Sequence, residues 1–265
     1  MKHLPNLLTL ANLFCGCIAI AYILTAQPYL IMNIADGMPQ WNWVHCVEQL
    51  CIGSLFIGIA AICDLFDGLA ARALNVYSPI GKDLDSLADV VSFGVAPAML
   101  LFKFLWDALM SEKNAMDVSM LAMAPAFLLP CFAALRLAKF NITSAQQKQY
   151  FIGMPTPAVG LFVATLPLVS WYNPWGMAKY LENKWMLYFI IIVLCLLMVS
   201  QIKFMKLVPA KRGIKYIWTQ LVLVILTATA IPVLGVAALP FAFILYIVLS
   251  LIYKQPETVE KQVTE

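Results

Sequence analysis

Four aspartates and one arginine fall in the pattern D-x2-D-G-x2-A-R-x8-G-x3-D-x3-D, a spacing of carboxylates that can hold divalent cations. The fixed residues are Asp64, Asp67, Gly68, Ala71, Arg72, Gly81, Asp85 and Asp89. Residues three or four apart share a helix face, so Asp64 and Asp67 face one way on one helix and Asp85 and Asp89 on the next. Two such helices joined by a short turn bring four acidic groups together. Hard cations such as Mg2+ or Mn2+ favour oxygen ligands, and a pair of them can polarise a phosphate under attack and stabilise its leaving group. The competing reading is structural ion pairing, but only Arg72 stands nearby, one positive charge against four negative ones.

The elements that must position these residues belong in a bilayer. The chain is 63% hydrophobic and 12% charged, with mean hydropathy +0.85. That balance describes a polytopic membrane protein and not a soluble domain. A carboxylate at bilayer depth costs at least about 2.5 kcal/mol, so four of them call for compensating charge. The apolar stretches predict an all-α transmembrane bundle of about eight spans: 7–26, 48–73, 82–107, 118–140, 155–173, 185–204, 216–232 and 234–253. Pro232, Gly235 and Pro240 leave only a tight turn between the last two. The first span lacks a weighty basic lead and an A-x-A-like cleavage site, so it is expected to be retained. A single membrane domain, 1–253, is then followed by a short polar tail, 254–265.

Charge and cysteine usage narrow the class. A net charge of +3 with no basic-aromatic face excludes nucleic acid. The seven cysteines form no CxxC pair and lie mostly in apolar segments, so they read as buried free thiols. Basic residues set the orientation. With the N-terminus and the loops after spans 2, 4 and 6 on one side, the other side keeps only Lys103, Lys113, Lys179 and Lys184 of the 17 Lys and Arg residues, leaving thirteen. Both termini and the aspartate motif are thereby expected in the cytosol. The five charges from Lys203 to Lys215 serve topology and attraction to anionic lipid.

The stretch Asp64–Asp89 matches every fixed position of the signature of the CDP-alcohol phosphotransferases, and the chain resembles that family. Flanking residues are similar to its CDP-diacylglycerol–serine O-phosphatidyltransferase branch: Pro5-Asn6-Leu7-Leu8-Thr9 with Asn12, Ser92-Phe93-Gly94-Val95-Ala96-Pro97-Ala98, Arg136-Leu137-Ala138-Lys139-Phe140-Asn141 and Gly153-Met154-Pro155-Thr156-Pro157. The resemblance is good over residues 4–160 and only generic over the last three spans. It implies the family fold in a bacterial plasma membrane, a homodimer, and transfer of the phosphatidyl group of CDP-diacylglycerol to L-serine. It further implies two Mg2+ or Mn2+ ions held by Asp64, Asp67, Asp85 and Asp89, with Asp89 as general base. An aspartate beside metal is a weak base unless the hydroxyl is acidified, so spacing alone does not separate base from ligand. Cytidine and ribose are expected near Gly68, Ala71 and Gly81, and a donor phosphate on the Arg72 fork.

Residues outside the signature admit two readings each. Asn6, Thr9 and Asn12 recur every three residues on the first helix and either border the nucleotide phosphates, as the resemblance implies, or cap and tie helices. Arg136 and Lys139 bind the serine carboxylate or a donor phosphate, or serve as topogenic, snorkelling charges. Ser92 shapes the candidate acceptor pocket or packs, and Asn141 is a substrate contact or a helix C-terminal residue. An acceptor such as glycerol 3-phosphate or inositol phosphate would bring a second phosphate and demand more basic residues than Arg72, Arg136 and Lys139 supply. A cation carrier would spread its acids along a path instead of gathering them at one face.

Overall fold

Long runs of Leu, Ile, Ala and Phe free of charge form the helices, as α1 (Leu4–Thr25) illustrates: it has no charged residue and starts with Pro5 in its first turn, where the missing N–H is harmless. In this computed structural model the described residues are 4–35, 38–44, 46–74, 79–111, 119–143, 151–205 and 214–252. The chain continues through α2 (Val47–Leu74), α3 (Pro79–Asp89), a π-helical turn (Val90–Val95) and α4 (Ala96–Met110). It then forms α5 (Leu128–Thr143), α6 (Thr156–Tyr172), the short α7 (Ala178–Leu181), α8 (Lys184–Val199), α9 (Ile214–Leu234) and α10 (Ala238–Ile252).

Contacts between helices fix their directions. Thr9 near the start of α1 meets Asp67 near the end of α2, whereas Ile23 near the end of α1 crowds Gly53 near the start of α2. The two helices are therefore antiparallel. Asn12 and Gly16 face Asp89 and Ser92, and Lys103 of α4 donates to Ala26 O just past α1, so α3–α4 run parallel to α1. Arg136, just past the middle of α5, meets Thr156 at the start of α6. Ser250 near the end of α10 meets Met205, which precedes α9. The chain thus returns repeatedly to the end that carries the acidic motif, and Gly235 (φ +55) makes the last reversal.

Among the described residues, five helical runs are long and apolar enough to cross a membrane: Leu4–Thr25, Val47–Leu74, Ile80–Met110, Ala124–Thr143 and Gln220–Ile252. Two further apolar helices, Thr156–Tyr172 and Lys184–Val199, are shorter, at 17 and 16 residues. The fourth expected span opens with 3-10 turns at Met120–Ala122 and Ala124–Phe127 before α5; Pro125 and Pro130 withhold amide donors there. Mostly helical architecture is as expected, but among the described residues two antiparallel strand pairs depart from all-α. β1 (Tyr29–Ala35) pairs with β2 (Met38–Val44), and β3 (Phe151–Ile152) pairs with β4 (Lys203–Phe204). The two-residue β3–β4 ladder gave no periodicity to read. All seven cysteines are free, but only Cys195 is buried; Cys17 and Cys131 stand on the outer helix surface. An apolar surface facing lipid suits a thiol as well as a core does. The expected tail, 254–265, and the loop charges Lys206, Lys211 and Arg212 lie outside the described residues.

Candidate active site

α2 brings Asp64 and Asp67 to the motif end, and α3 brings Asp85 there with Asp89 as its last residue. One carboxylate oxygen from each of Asp64, Asp67 and Asp85 lies within 4.8 Å of the other two. Three negative groups at that separation repel by roughly 3–4 kcal/mol per pair at an effective dielectric of about 20, so the cluster is set up for cations. Asp85 Oδ1 is buried with no hydrogen-bond partner, an acceptor that a hard cation satisfies. The donor set of carboxylate oxygens fits Mg2+ or Mn2+ by chemistry as well as by spacing.

Side chains of α1 orient the two most buried carboxylates. Thr9 Oγ1 lies 2.8 Å from Asp67 Oδ2 and donates to it. Asn12 Nδ2 donates to Asp89 Oδ1 at 3.3 Å. Asp67 and Asp89 are each 6% exposed, so each would be costly without these donors. Sequence spacing places Asn12 on the same stripe as Asn6 and Thr9 but gives it no acidic partner, so the Asn12 contact emerges only in the structure. Asn6 sits half-buried on that stripe.

The π-helical turn begins at the residue after Asp89. An extra residue per turn there rotates the start of α4 about the helix axis, and such turns collect at functional sites. Ser92 lies in it, fully buried, and donates to Asn12 O at 3.1 Å. Opposite stands Gly16, where an added Cβ would collide with Ser92 Oγ and come 2.9 Å from Ser92 Cα. Glycine at 16 lets α1 approach closely enough for Asn12 to reach Asp89.

Arg136 is 7% exposed and faces Asp89 electrostatically from α5. Its Nη1 donates to Thr156 Oγ1 at 2.9 Å, and its guanidinium lies 5.7 Å from the Phe140 ring centroid. Arg72 is exposed and folds back along α2, its Nε donating to Gly68 O at 2.9 Å. A Cβ on Gly68 would meet only Arg72 Nη2, at 3.9 Å, so the surface over Gly68 is open. Ala71 is half-buried beside it, and Gly81 is half-buried on α3. Lys139 is exposed. Asn141 Nδ2 donates to Ser86 Oγ at 2.7 Å and Asn141 O accepts from Lys82 Nζ at 2.7 Å, which fastens α5 to α3. The structure therefore gathers the aspartates with Thr9, Asn12 and Arg136, and leaves Arg72 and Lys139 at the open edge.

Comparison with known proteins adds sequence relationships. Residues 2–198 match the family model described as CDP-alcohol phosphatidyltransferase. A protein of Helicobacter pylori strain 26695 named CDP-diacylglycerol–serine O-phosphatidyltransferase is 30% identical over 249 residues, which is 94% of this chain and 89% of that protein. Proteins of the same name from Bacillus subtilis strain 168 and Methanocaldococcus jannaschii are each 34% identical, over 176 and 178 residues. Those matches cover 66% of this chain and 79% and 75% of the two relatives.

Proposed function

The chain belongs to the CDP-alcohol phosphatidyltransferase family, and from that membership we propose that it transfers the phosphatidyl group of CDP-diacylglycerol to L-serine. The serine hydroxyl oxygen bonds to the diacylglycerol-linked phosphorus, the bond from that phosphorus to the CMP oxygen breaks, and the hydroxyl proton is lost. The products are phosphatidylserine and CMP. One observation carries the reading: the convergence of Asp64, Asp67 and Asp85 oxygens within 4.8 Å in a family that acts on a diphosphate donor. The names of the relatives support serine as acceptor.

In this reading Asp64, Asp67 and Asp85, together with Asp89, are the residues that would hold two ions, Mg2+ or Mn2+. Such ions, when bound, neutralise the diphosphate and stabilise CMP as it leaves. Asp89, held by Asn12, takes the proton of the serine hydroxyl. Arg72 swings from Gly68 O to a donor phosphate, with Asn6 and Thr9 bordering it, and the open surface at Gly68, Ala71 and Gly81 receives the nucleotide. Arg136 anchors the serine carboxylate with Lys139 at the rim, while Ser92 and Asn141 shape the pocket wall. A second copy of the chain is not required for this set, because every named residue comes from one protomer; the homodimer rests on resemblance.

We place the enzyme in a bacterial plasma membrane as one catalytic domain of eight passes, with site and termini cytosolic. The described basic residues support that orientation: Arg72, Lys82, Arg136, Lys139 and Lys203 sit toward the motif end, against Lys103, Lys179 and Lys184 toward the other. A phosphorylated acceptor is the alternative. It fits less well, since Lys82 is tied to Asn141 O and, among the described residues, Arg136 is the buried arginine that faces Asp89.

The test is purified protein with CDP-diacylglycerol and Mn2+ or Mg2+, with L-serine, glycerol 3-phosphate and inositol phosphate in competition. CMP release that rises only with serine supports the reading; release indifferent to serine overturns it. Asp67→Ala and Asp85→Ala are each expected to abolish turnover at saturating metal.

A further inference from the structure

α10 lies beyond residue 198, where the family match ends, yet hydrogen bonds connect it to the site. Tyr246 Oη donates to Met205 O at 3.0 Å, and Met205 N donates to Ser250 Oγ at 3.3 Å. The backbone of Met205 is thus held by α10 at both its carbonyl and its amide. Tyr246 is 3% exposed, and its ring stacks on Phe204, centroids 5.9 Å apart. Phe204 belongs to β4, whose register against β3 is Phe151 with Phe204 and Ile152 with Lys203.

From β3 the connection runs to Arg136. Gly153 N donates to Ile202 O at 2.9 Å, and Met154 N donates to Leu197 O at 3.0 Å. Gly153 holds φ +76, and a Cβ there would collide with Met198 O, so this crossing of two backbones admits glycine alone. Thr156 comes three residues later, fully buried at the start of α6, and its Oγ1 takes the hydrogen bond from Arg136 Nη1 at 2.9 Å. A ladder of two residues a side is too short to hold its own register, as even a full two-stranded hairpin is marginal in isolation. The bonds from α10 to Met205 supply what the ladder lacks. The Tyr246 phenol also lies within electrostatic reach of Arg136.

We propose that Tyr246 and Ser250 are positioning residues for acceptor binding: by fixing Met205 they hold the β3–β4 clasp and Thr156, and so set where the Arg136 guanidinium stands within electrostatic reach of Asp89. This rests on the reading in which Arg136 anchors the acceptor carboxylate. It gives the helix outside the family match a role in acceptor affinity, with no contact to either substrate.

Tyr246→Phe tests it, because the ring and its stack on Phe204 remain and only the hydroxyl is lost. KM for serine is expected to rise roughly three- to tenfold, the size of one neutral hydrogen bond, with kcat and the KM for CDP-diacylglycerol changing less than about twofold. Ser250→Ala is expected to do the same and Ser250→Thr, which keeps a hydroxyl, to stay near the parent. A purely structural role would lower the melting temperature and kcat without selecting serine, and that result overturns the proposal. Arg136→Lys separates the two layers. If it leaves the serine KM unchanged, the anchoring role of Arg136 fails and the proposal with it. If it raises the serine KM while Tyr246→Phe does not, only the proposal falls.

Discussion

Asn12 Nδ2 donates to Asp89 Oδ1 at 3.3 Å, joining the middle of α1 to the final residue of α3 where the π-helical turn begins. Ser92, in that turn, returns the contact by donating to Asn12 O. Asn12 is fully buried and Asp89 nearly so, which leaves the amide as the one neutral donor seen on that carboxylate among the described residues. A hydrogen bond to a charged group is worth about 1.5–3 kcal/mol. Asn12→Ala is expected to lower kcat by roughly tenfold to a hundredfold, measured as CMP release at saturating donor and serine. A wild-type rate would remove Asn12 from the machinery.

Thr9 stands in the same relation to Asp67, its hydroxyl 2.8 Å from Oδ2 while also donating toward Pro5 O at 3.0 Å. One proton serves only one acceptor at a time, so the residue holds Asp67 by geometry as much as by strength. Groups that orient metal-binding carboxylates typically change metal affinity ten- to a hundredfold when removed. Thr9→Val, of similar volume, is expected to raise the Mn2+ concentration for half-maximal activity about tenfold with the maximal rate largely kept. Titration of activity with metal reads this directly, and an unshifted midpoint would assign Thr9 to helix packing.

The acidic cluster sets stability against function. With no cation, Asp64, Asp67 and Asp85 repel one another across at most 4.8 Å. Asp64→Asn removes one charge with little change of shape, so the melting temperature in detergent with chelator should rise. The same variant should gain less stabilisation from Mn2+ than the parent and lose turnover. A variant less stable than the parent in chelator would mean that Asp64 is held by positive charge and not by metal.

Sequence separation decides which of these contacts were legible in the residues. The pairs Asp64/Asp67 and Asp85/Asp89 are helical neighbours, so their faces could be read from spacing, and the two helices join through a short connection. Contacts across longer separations left no local trace. Asn12 and Asp89 are 77 residues apart, and the Tyr246–Met205 bond joins residues 41 apart. The Gly16 approach to Ser92 depends on the rotation that the π-helical turn introduces, which no period of 3.6 foretells. Span ends were similarly obscured at 120–127, where two 3-10 turns, the second carrying Pro125, precede α5. The β1–β2 pair escaped because its only polar–apolar alternation, Gln40–Trp43, is short and follows Pro39, a residue that argues against a strand interior.

Asn141 bears on the acceptor side of the site, where spacing and geometry pull apart. Its side-chain amide donates to Ser86 Oγ at 2.7 Å, and its main-chain carbonyl accepts from Lys82 Nζ at 2.7 Å, so side chain and backbone both fasten α5 to α3. Ser86 comes directly after Asp85, and loosening it frees the helix that carries two of the four aspartates. If the tie is the main use of the side chain, Asn141→Ala and Ser86→Ala should each destabilise the protein and together cost little more than either alone. The double-mutant cycle should then give a coupling of about 0.5–1.5 kcal/mol. Unfolding in mixed micelles measures the coupling, and serine KM is tracked in parallel. Additive losses, with a serine KM raised by Asn141→Ala and untouched by Ser86→Ala, would instead put the Asn141 amide on the acceptor.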